Sequence, residues 1–264
     1  GYFSYVVVYT RSSLVEQTTP THFRFSETAR DIGNLSFLDL DLDADEIGGN
    51  VTWNEPIDNS LVTYYLVYMS MSEMGHGRSQ VANDLVVGTT LVPILPSTAL
   101  SNFLYVIVYT QSSLVEQTTP VFFNISDTVA SVSDVGFIDK DLDLDDLGGR
   151  ITWAEPFDQD MEYVAFYDVY LANSSIGEQR SQMGNPVPVF TGFTFIPVDH
   201  PQDIYTHVVV YTRSVLVEQT IPGYVYISDT FSPVVDVNFT DRDLDKLDLG
   251  GHLYWSRPLE YSQV

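Results

Sequence analysis

The feature that most constrains this chain is internal repetition. Residues 5–20 read YVVVYTRSSLVEQTTP, residues 105–120 read YVIVYTQSSLVEQTTP and residues 207–222 read HVVVYTRSVLVEQTIP, at offsets of 100 and then 102. A second block recurs at the same offsets: Gly48-Gly49-Asn50-Val51-Thr52-Trp53, Gly148 to Trp153 and Gly250 to Trp255. Each Trp is followed by x-x-Pro, at Pro56, Pro156 and Pro258. A period near 100 residues means one structural unit used several times. The phase divides the chain into the C-terminal part of one repeat (1–30), two complete repeats (31–130 and 131–232) and the N-terminal part of another (233–264). The chain therefore reads as a window on a longer tandem array.

Within a repeat the segments are short, β-branched and aromatic, bounded by Gly, Pro, Asn, Asp and Ser, and no sustained 3.6-residue period appears. For residues 131–232 the pattern predicts strands near 134–140, 149–155, 163–172, 186–190, 192–197, 205–213 and 215–228. Seven strands in about 100 residues predict an immunoglobulin-like β-sandwich. Thr206 to Thr212 is apolar on both faces, as in a central strand covered on both sides or one buried at a contact between repeats. Trp153 is expected between the sheets.

Trp153-x-x-Pro156, then Tyr167-x-Val169-Tyr170, then a Pro-containing corner and a Tyr/Val-rich strand resemble a fibronectin type III repeat. The resemblance covers each whole repeat. It implies tandem seven-stranded sandwiches arranged head to tail, with the turn after the first strand at the end nearer the next repeat. The acidic block before the Trp strand and the Leu-Val-Glu-Gln-Thr-Thr-Pro wording depart from that family. The repeat wording is also similar to tandem modules of large surface proteins of algal protists.

Charge and composition narrow the function. Eleven Lys and Arg face 36 Asp and Glu, a formal charge of −25. That balance disfavours nucleic acid, whose phosphates need clustered Lys and Arg, and disfavours anionic membrane surfaces. No apolar run approaches the roughly 20 residues of a membrane helix, so no membrane insertion is expected in this segment. There is no cysteine, which removes disulfides, zinc-thiolate sites and thiol nucleophiles. Of the five histidines, His22, His76, His200, His207 and His252, none recurs at one repeat position. No catalytic constellation is expected.

One constellation carries chemistry. Asp39, Asp41 and Asp43 recur as Asp139, Asp141 and Asp143 and as Asp241, Asp243 and Asp245. In an extended chain these carboxylates share one side, with Ile138, Leu142 and Leu144 on the other. Carboxylates at i, i+2 and i+4 match the start of a helix-loop-helix calcium loop. Position 6 (Ala44, Leu144, Lys246) and position 12 (Asn50, Arg150, His252) then fail that motif. Two readings stay open: a Ca²⁺ site built from this block and a linker carboxylate, or a solvated acidic loop that blocks edge pairing. With the fibronectin-like geometry, Asp127 joins the first block and Asp229 the second.

Five glycosylation sequons, at Asn34, Asn50, Asn124, Asn173 and Asn238, take up half of the ten asparagines and favour secretion. Asn50, opening the Trp strand, is the least suited to modification. Glu16-Gln17-Thr18 and its copies at Glu116 and Glu218 recur, as does Arg-Ser-Gln, and both are expected to hold turns or contacts between repeats. The expected function is a non-enzymatic extracellular or cell-surface array, a shaft, adhesive or filament-forming segment stiffened by calcium. Its partners would be neighbouring repeats and further copies in filaments. The alternatives are a glycan- or protein-binding surface module and an accessory array of a larger enzyme or receptor.

Overall fold

The computed structural model describes residues 3–157 and 161–258. An isolated hairpin comes first, β1 (Tyr5–Val8) paired with β2 (Thr21–Arg24). The first complete sandwich holds β3 (Gly33–Phe37), β4 (Glu46–Asn54), β5 (Tyr64–Ser70), β6 (Ser79–Gln80), β7 (Leu85–Val86), β8 (Leu91–Ala99), β9 (Tyr105–Gln111) and β10 (Val121–Asn124). One sheet runs β3-β4-β8 and the other β10-β9-β5-β6, with β7 also on β5, all antiparallel. The second sandwich repeats this order with β11 (Ser133–Phe137), β12 (Asp146–Ala154), β13 (Phe166–Ala172), β14 (Ser181–Gln182), β15 (Val187–Pro188), β16 (Phe193–Pro201), β17 (His207–Arg213) and β18 (Gly223–Tyr226). A last hairpin pairs β19 (Val235–Phe239) with β20 (Leu253–Ser256). The fold class is all-β tandem sandwiches, as the repeat pattern implies.

Period-two alternation builds the cores. Along β12, Leu147, Ile151 and Trp153 turn inward against Tyr167, Val169, Leu171, Val208 and Val210. The Trp153 ring meets Tyr167 edge to face at 5.3 Å, and Trp53 meets Tyr65 in the same way at 5.7 Å. The triple valine of β17, a central strand between β13 and β18, is buried on both faces because Val208 and Val210 face the core between the sheets and Val209 is covered on the outer face. Its outer face carries Val209 and Tyr211, which pack with Tyr170 and Ala172. β8 carries Pro93 and Pro96, which an edge strand tolerates because it pairs on one side only.

Two expectations need correction. The predicted strand 215–228 is a turn followed by the short β18. Ser214 Oγ accepts the N–H groups of Leu216 and Val217, closing the chain back so that Arg213 bridges Glu218. The acidic block, expected to alternate as an extended chain, is a loop in which Asp39, Asp41, Leu42 and Asp43 are all buried.

Candidate functional site at the joint between repeats

The acidic loop leads from β3 to β4, and its carboxylates hold it in shape. Asp39 Oδ1 accepts the N–H of Asp41 at 3.1 Å and of Gly48 at 2.9 Å. Asp41 Oδ1 accepts the N–H of Asp43 at 3.2 Å, and its Oδ2 accepts Ser97 N–H at 2.6 Å. Side chains that bond backbone two residues on are the ordinary way Asp shapes a turn. Asp45 closes the loop with φ 64°, a left-handed conformation Asp tolerates. The recurrent Gly-Gly reflects close approach: a Cβ on Gly49 would lie 2.2 Å from the Leu38 carbonyl oxygen, and one on Gly48 2.9 Å from Pro96 Cα.

The loop also grips the linker and the second sandwich. The linker's Thr128 donates its N–H to Asp39 Oδ2 at 2.9 Å, and Asp127 Oδ2 accepts Asp45 N–H at 2.9 Å. Asp43 reaches the second sandwich, where its carboxylate accepts the N–H groups of Thr220 at 2.6 Å and Ile221 at 3.2 Å. Ser214 Oγ donates to the Leu40 carbonyl at 2.6 Å, and Gln219 Nε2 to the Leu42 carbonyl at 3.2 Å. Leu42 belongs to the first repeat by sequence. Its side chain is fully buried in the core of the second, among Ala130, Val132 and Val164.

Burial sets the electrostatics. Asp39 is pushed up to about 6 by burial, although Gly48, Thr128 and Asp41 N–H groups oppose the shift, and Asp127 adds to it. Burial also raises Asp127. Asp241 makes the same local turn in the open, where the N–H groups of Gly250 and Asp243 hold it below the usual carboxylate range.

The second copy of the linker contact repeats the first. Thr230 donates its N–H to Asp139 Oδ2 at 2.8 Å, and Asp229 Oδ2 accepts Asp145 N–H at 2.9 Å. In this copy Asp139 and Asp141 are buried and Asp143 is exposed. In the third block Asp241, Asp243 and Asp245 are all exposed. A uniformly solvated acidic loop therefore does not describe the first two blocks.

As cation ligands, the predicted residues are only partly gathered. Carboxylate oxygens of Asp41, Asp43 and Glu46 lie within 4.8 Å of one another, as do those of Asp141, Asp143 and Asp199. Glu46 and Asp199 were not expected; they lie in β4 and β16, and although an acid recurs at the Glu46 position as Asp146 and Asp248, nothing in the repeat spacing marks Asp199. Asp127 Oδ1 and Asp229 Oδ1 are buried without a hydrogen-bond partner. The two groupings are not equivalent, since Asp146 stands where Glu46 does and Ser97 where Asp199 does.

The recurrent Glu-Gln and Arg-Ser-Gln motifs meet in space. Arg78 pairs with Glu116 at 2.7 Å and lies over the rings of Tyr68 and Tyr109; Arg180 pairs with Glu218 at 2.6 Å over Tyr170 and Tyr211. This cation–π stack covers the outer face of the central strands. All five sequon asparagines are exposed.

No protein-family model and no curated protein matches the chain. Among solved structures, the FN1-FN3 domains of chicken CNTN1 are similar at 14% identity, over 88% of this chain and 77% of that one, with a TM-score of 0.27. No helix among the described residues is long and apolar enough to cross a membrane.

Proposed function

We propose that this chain is a non-enzymatic structural segment of an extracellular array, in which each acidic loop is the joint that fixes one sandwich on the next. The observation that carries this reading is Leu42, which leaves its own repeat to complete the core of the following one, flanked by Asp43 on Thr220 and Ile221. Such a contact makes neighbouring repeats energetically dependent, as stacked repeats are. A spacer, shaft or adhesive stalk needs that stiffness, and the exposed sequons suit a secreted surface. The test is inter-repeat order, read as residual dipolar couplings of the two complete sandwiches. One shared alignment tensor supports a fixed joint, and two independent tensors refute it.

Calcium is a second reading, favoured by the unpartnered buried oxygens of Asp127 and Asp229. Asp127 with Asp39 and Asp41, or Asp41 and Asp43 with Glu46, would supply the oxygen ligands a hard cation takes. The bound ion would offset the burial that raises Asp39 and Asp127, together with the smaller repulsion from neighbouring carboxylates. Thermal unfolding with millimolar Ca²⁺ and with chelator tests it. Calcium should raise the melting temperature, and Asp127→Asn should remove the rise. Equal melting temperatures leave the carboxylates as acceptors of backbone N–H groups only.

A further inference from the structure

The five sequons differ in what surrounds them. Ser36 Oγ and Thr52 Oγ1, the hydroxyls of the Asn34 and Asn50 sequons, bond each other at 2.8 Å. Asn173 Nδ2, the atom a sugar would take, donates to Gln179 Oε1 at 2.8 Å. In Asn124-Ile125-Ser126, neither the side-chain amide nor the hydroxyl has a hydrogen bond among the described residues. A second difference lies two residues before each Asn. Ile32 and Leu171 stand there buried, and Gly48 and Asp236 carry no ring. Before Asn124 the residue is Phe122, an aromatic 45% exposed.

Phe122 and Asn124 share the outer face of β10, because residues two apart on a strand point the same way. Asn124 pairs with Tyr105 across the ladder, and the Tyr105 ring meets Phe122 edge to face at 5.7 Å. Asn124 therefore stands beside two aromatic rings, both partly open to solvent. The second sandwich fills the same seat from its own sequence. Tyr226 takes the place of Asn124 and His207 that of Tyr105, and the two rings lie 4.3 Å apart. Asn124 lies at the end of the first complete sandwich with the second one beside it, so its surroundings do not depend on where the chain ends.

We propose that Asn124 carries an N-linked glycan whose first sugar, an N-acetylhexosamine, rests on the rings of Phe122 and Tyr105. Attachment forms a bond from Asn124 Nδ2 to C1 of the sugar. The C1–O bond to a lipid diphosphate donor breaks, the diphosphate leaves with the electron pair, and one amide proton passes to solvent. A secretory transferase that reads Asn-x-Ser/Thr brings the donor. The sugar's C–H groups, slightly positive, then meet the negative faces of the rings. The glycan covers Phe122 and the free side of β10, an edge strand open to pairing with other chains. This inference rests on the extracellular part of the reading above and adds a modification to it.

The test is expression of the whole chain behind a secretion signal in a eukaryotic cell. Peptide mass mapping before and after enzymatic glycan removal, which turns a modified Asn into Asp, shows which sequons are used. Asn124 should be modified, and Ser126→Ala should abolish the modification. Nuclear Overhauser contacts should link the first sugar to the Phe122 and Tyr105 rings. Asn124→Gln should lower the melting temperature by about 2–4 °C, the scale of one modest contact in a chain of this size. In the Phe122→Ala background, where an exposed ring is removed, Asn124→Gln should change nothing. Glycans on other sequons but not on Asn124 overturn the site and leave the extracellular reading standing. A secreted chain bare at all five sequons overturns the site and that reading together. A modified Asn124 whose sugar shows no ring contacts, or an equal melting shift in both backgrounds, overturns the aromatic seat.

Discussion

Asp39 shows how little a residue type decides without its surroundings. The same Asp, in the same turn, lies above its ordinary range at Asp39 and below it at Asp241, and the difference is the burial of the first. The raised value has a consequence with a definite sign. A carboxyl that binds its proton more tightly folded than unfolded favours the fold when protonated. Its contribution is present below the unfolded value of about 4 and is lost as pH rises through about 6. The melting temperature of the chain should carry a component that falls over this window, and Asp39→Asn should remove that component. An unchanged pH profile in the variant would show that the three N–H donors outweigh burial. Trp153, 6% exposed and edge-on to Tyr167, is a simpler case. Trp153→Ala should cost about 3–5 kcal/mol in denaturant unfolding, as large-to-small core changes do. A loss under about 1 kcal/mol would place the ring outside the core.

At the scale of elements, the acidic loop is the instructive one. Its recurrence, its Gly-Gly and its place before the Trp strand are plain in the sequence. Its burial is not, because alternating Asp and Leu are what a solvated strand edge would also show. Leu42 is buried by residues 88 to 177 positions away, and no local pattern reports a partner at that distance. The strands, by contrast, were legible because each is local and period-two. The one overlong strand, 215–228, begins with the apolar run Val215, Leu216 and Val217, which Ser214 folds into a turn. For the same reason Asp199 was missed, since it meets Asp141 and Asp143 only through the tertiary fold, whereas Glu46 lies three residues after Asp43 and its acid recurs as Asp146 and Asp248. Two substitutions separate the roles within this loop. Leu42→Ala should cost about 2–5 kcal/mol. The loss should appear in the second sandwich, as faster amide exchange at Val208–Val210, although the mutated residue precedes that sandwich by a whole repeat. Exchange increased only in residues 31–130 would put the Leu42 side chain back in its own repeat. Gly49→Ala should instead destabilise the first sandwich, since its methyl would meet the Leu38 carbonyl oxygen at 2.2 Å.

For the whole molecule, what counts is that the linker half of the joint repeats. Thr128 on Asp39 and Thr230 on Asp139 agree within 0.1 Å, as do the Ala130 and Ser232 N–H bonds to Leu42 and Leu142 at 3.2 and 3.1 Å. If each further joint also gains the contacts that Leu42 and Asp43 make, equal joints would give one rotation and one translation per repeat, the condition for a regular solenoid-like rod. The nine-residue strands β4 and β12 span about 30 Å at 3.3 Å per residue, so each repeat adds about that length to the array. The formal charge of −25 works in the same direction, because self-repulsion opposes any folding back of one sandwich on another. Small-angle scattering of the monomer should therefore give an elongated particle whose maximum dimension is independent of salt, because the joint is held by buried hydrogen bonds and by Leu42. Replacing Leu42 and Asp43 together with Ala removes both the plug and the carboxylate that grips Thr220 and Ile221. That variant should lose the fixed angle, broaden the distance distribution and become sensitive to salt as repulsion alone sets the spacing. A compact particle for the unaltered chain, or an elongated one with the same salt response as the variant, would mean that charge and not the joint keeps the repeats apart.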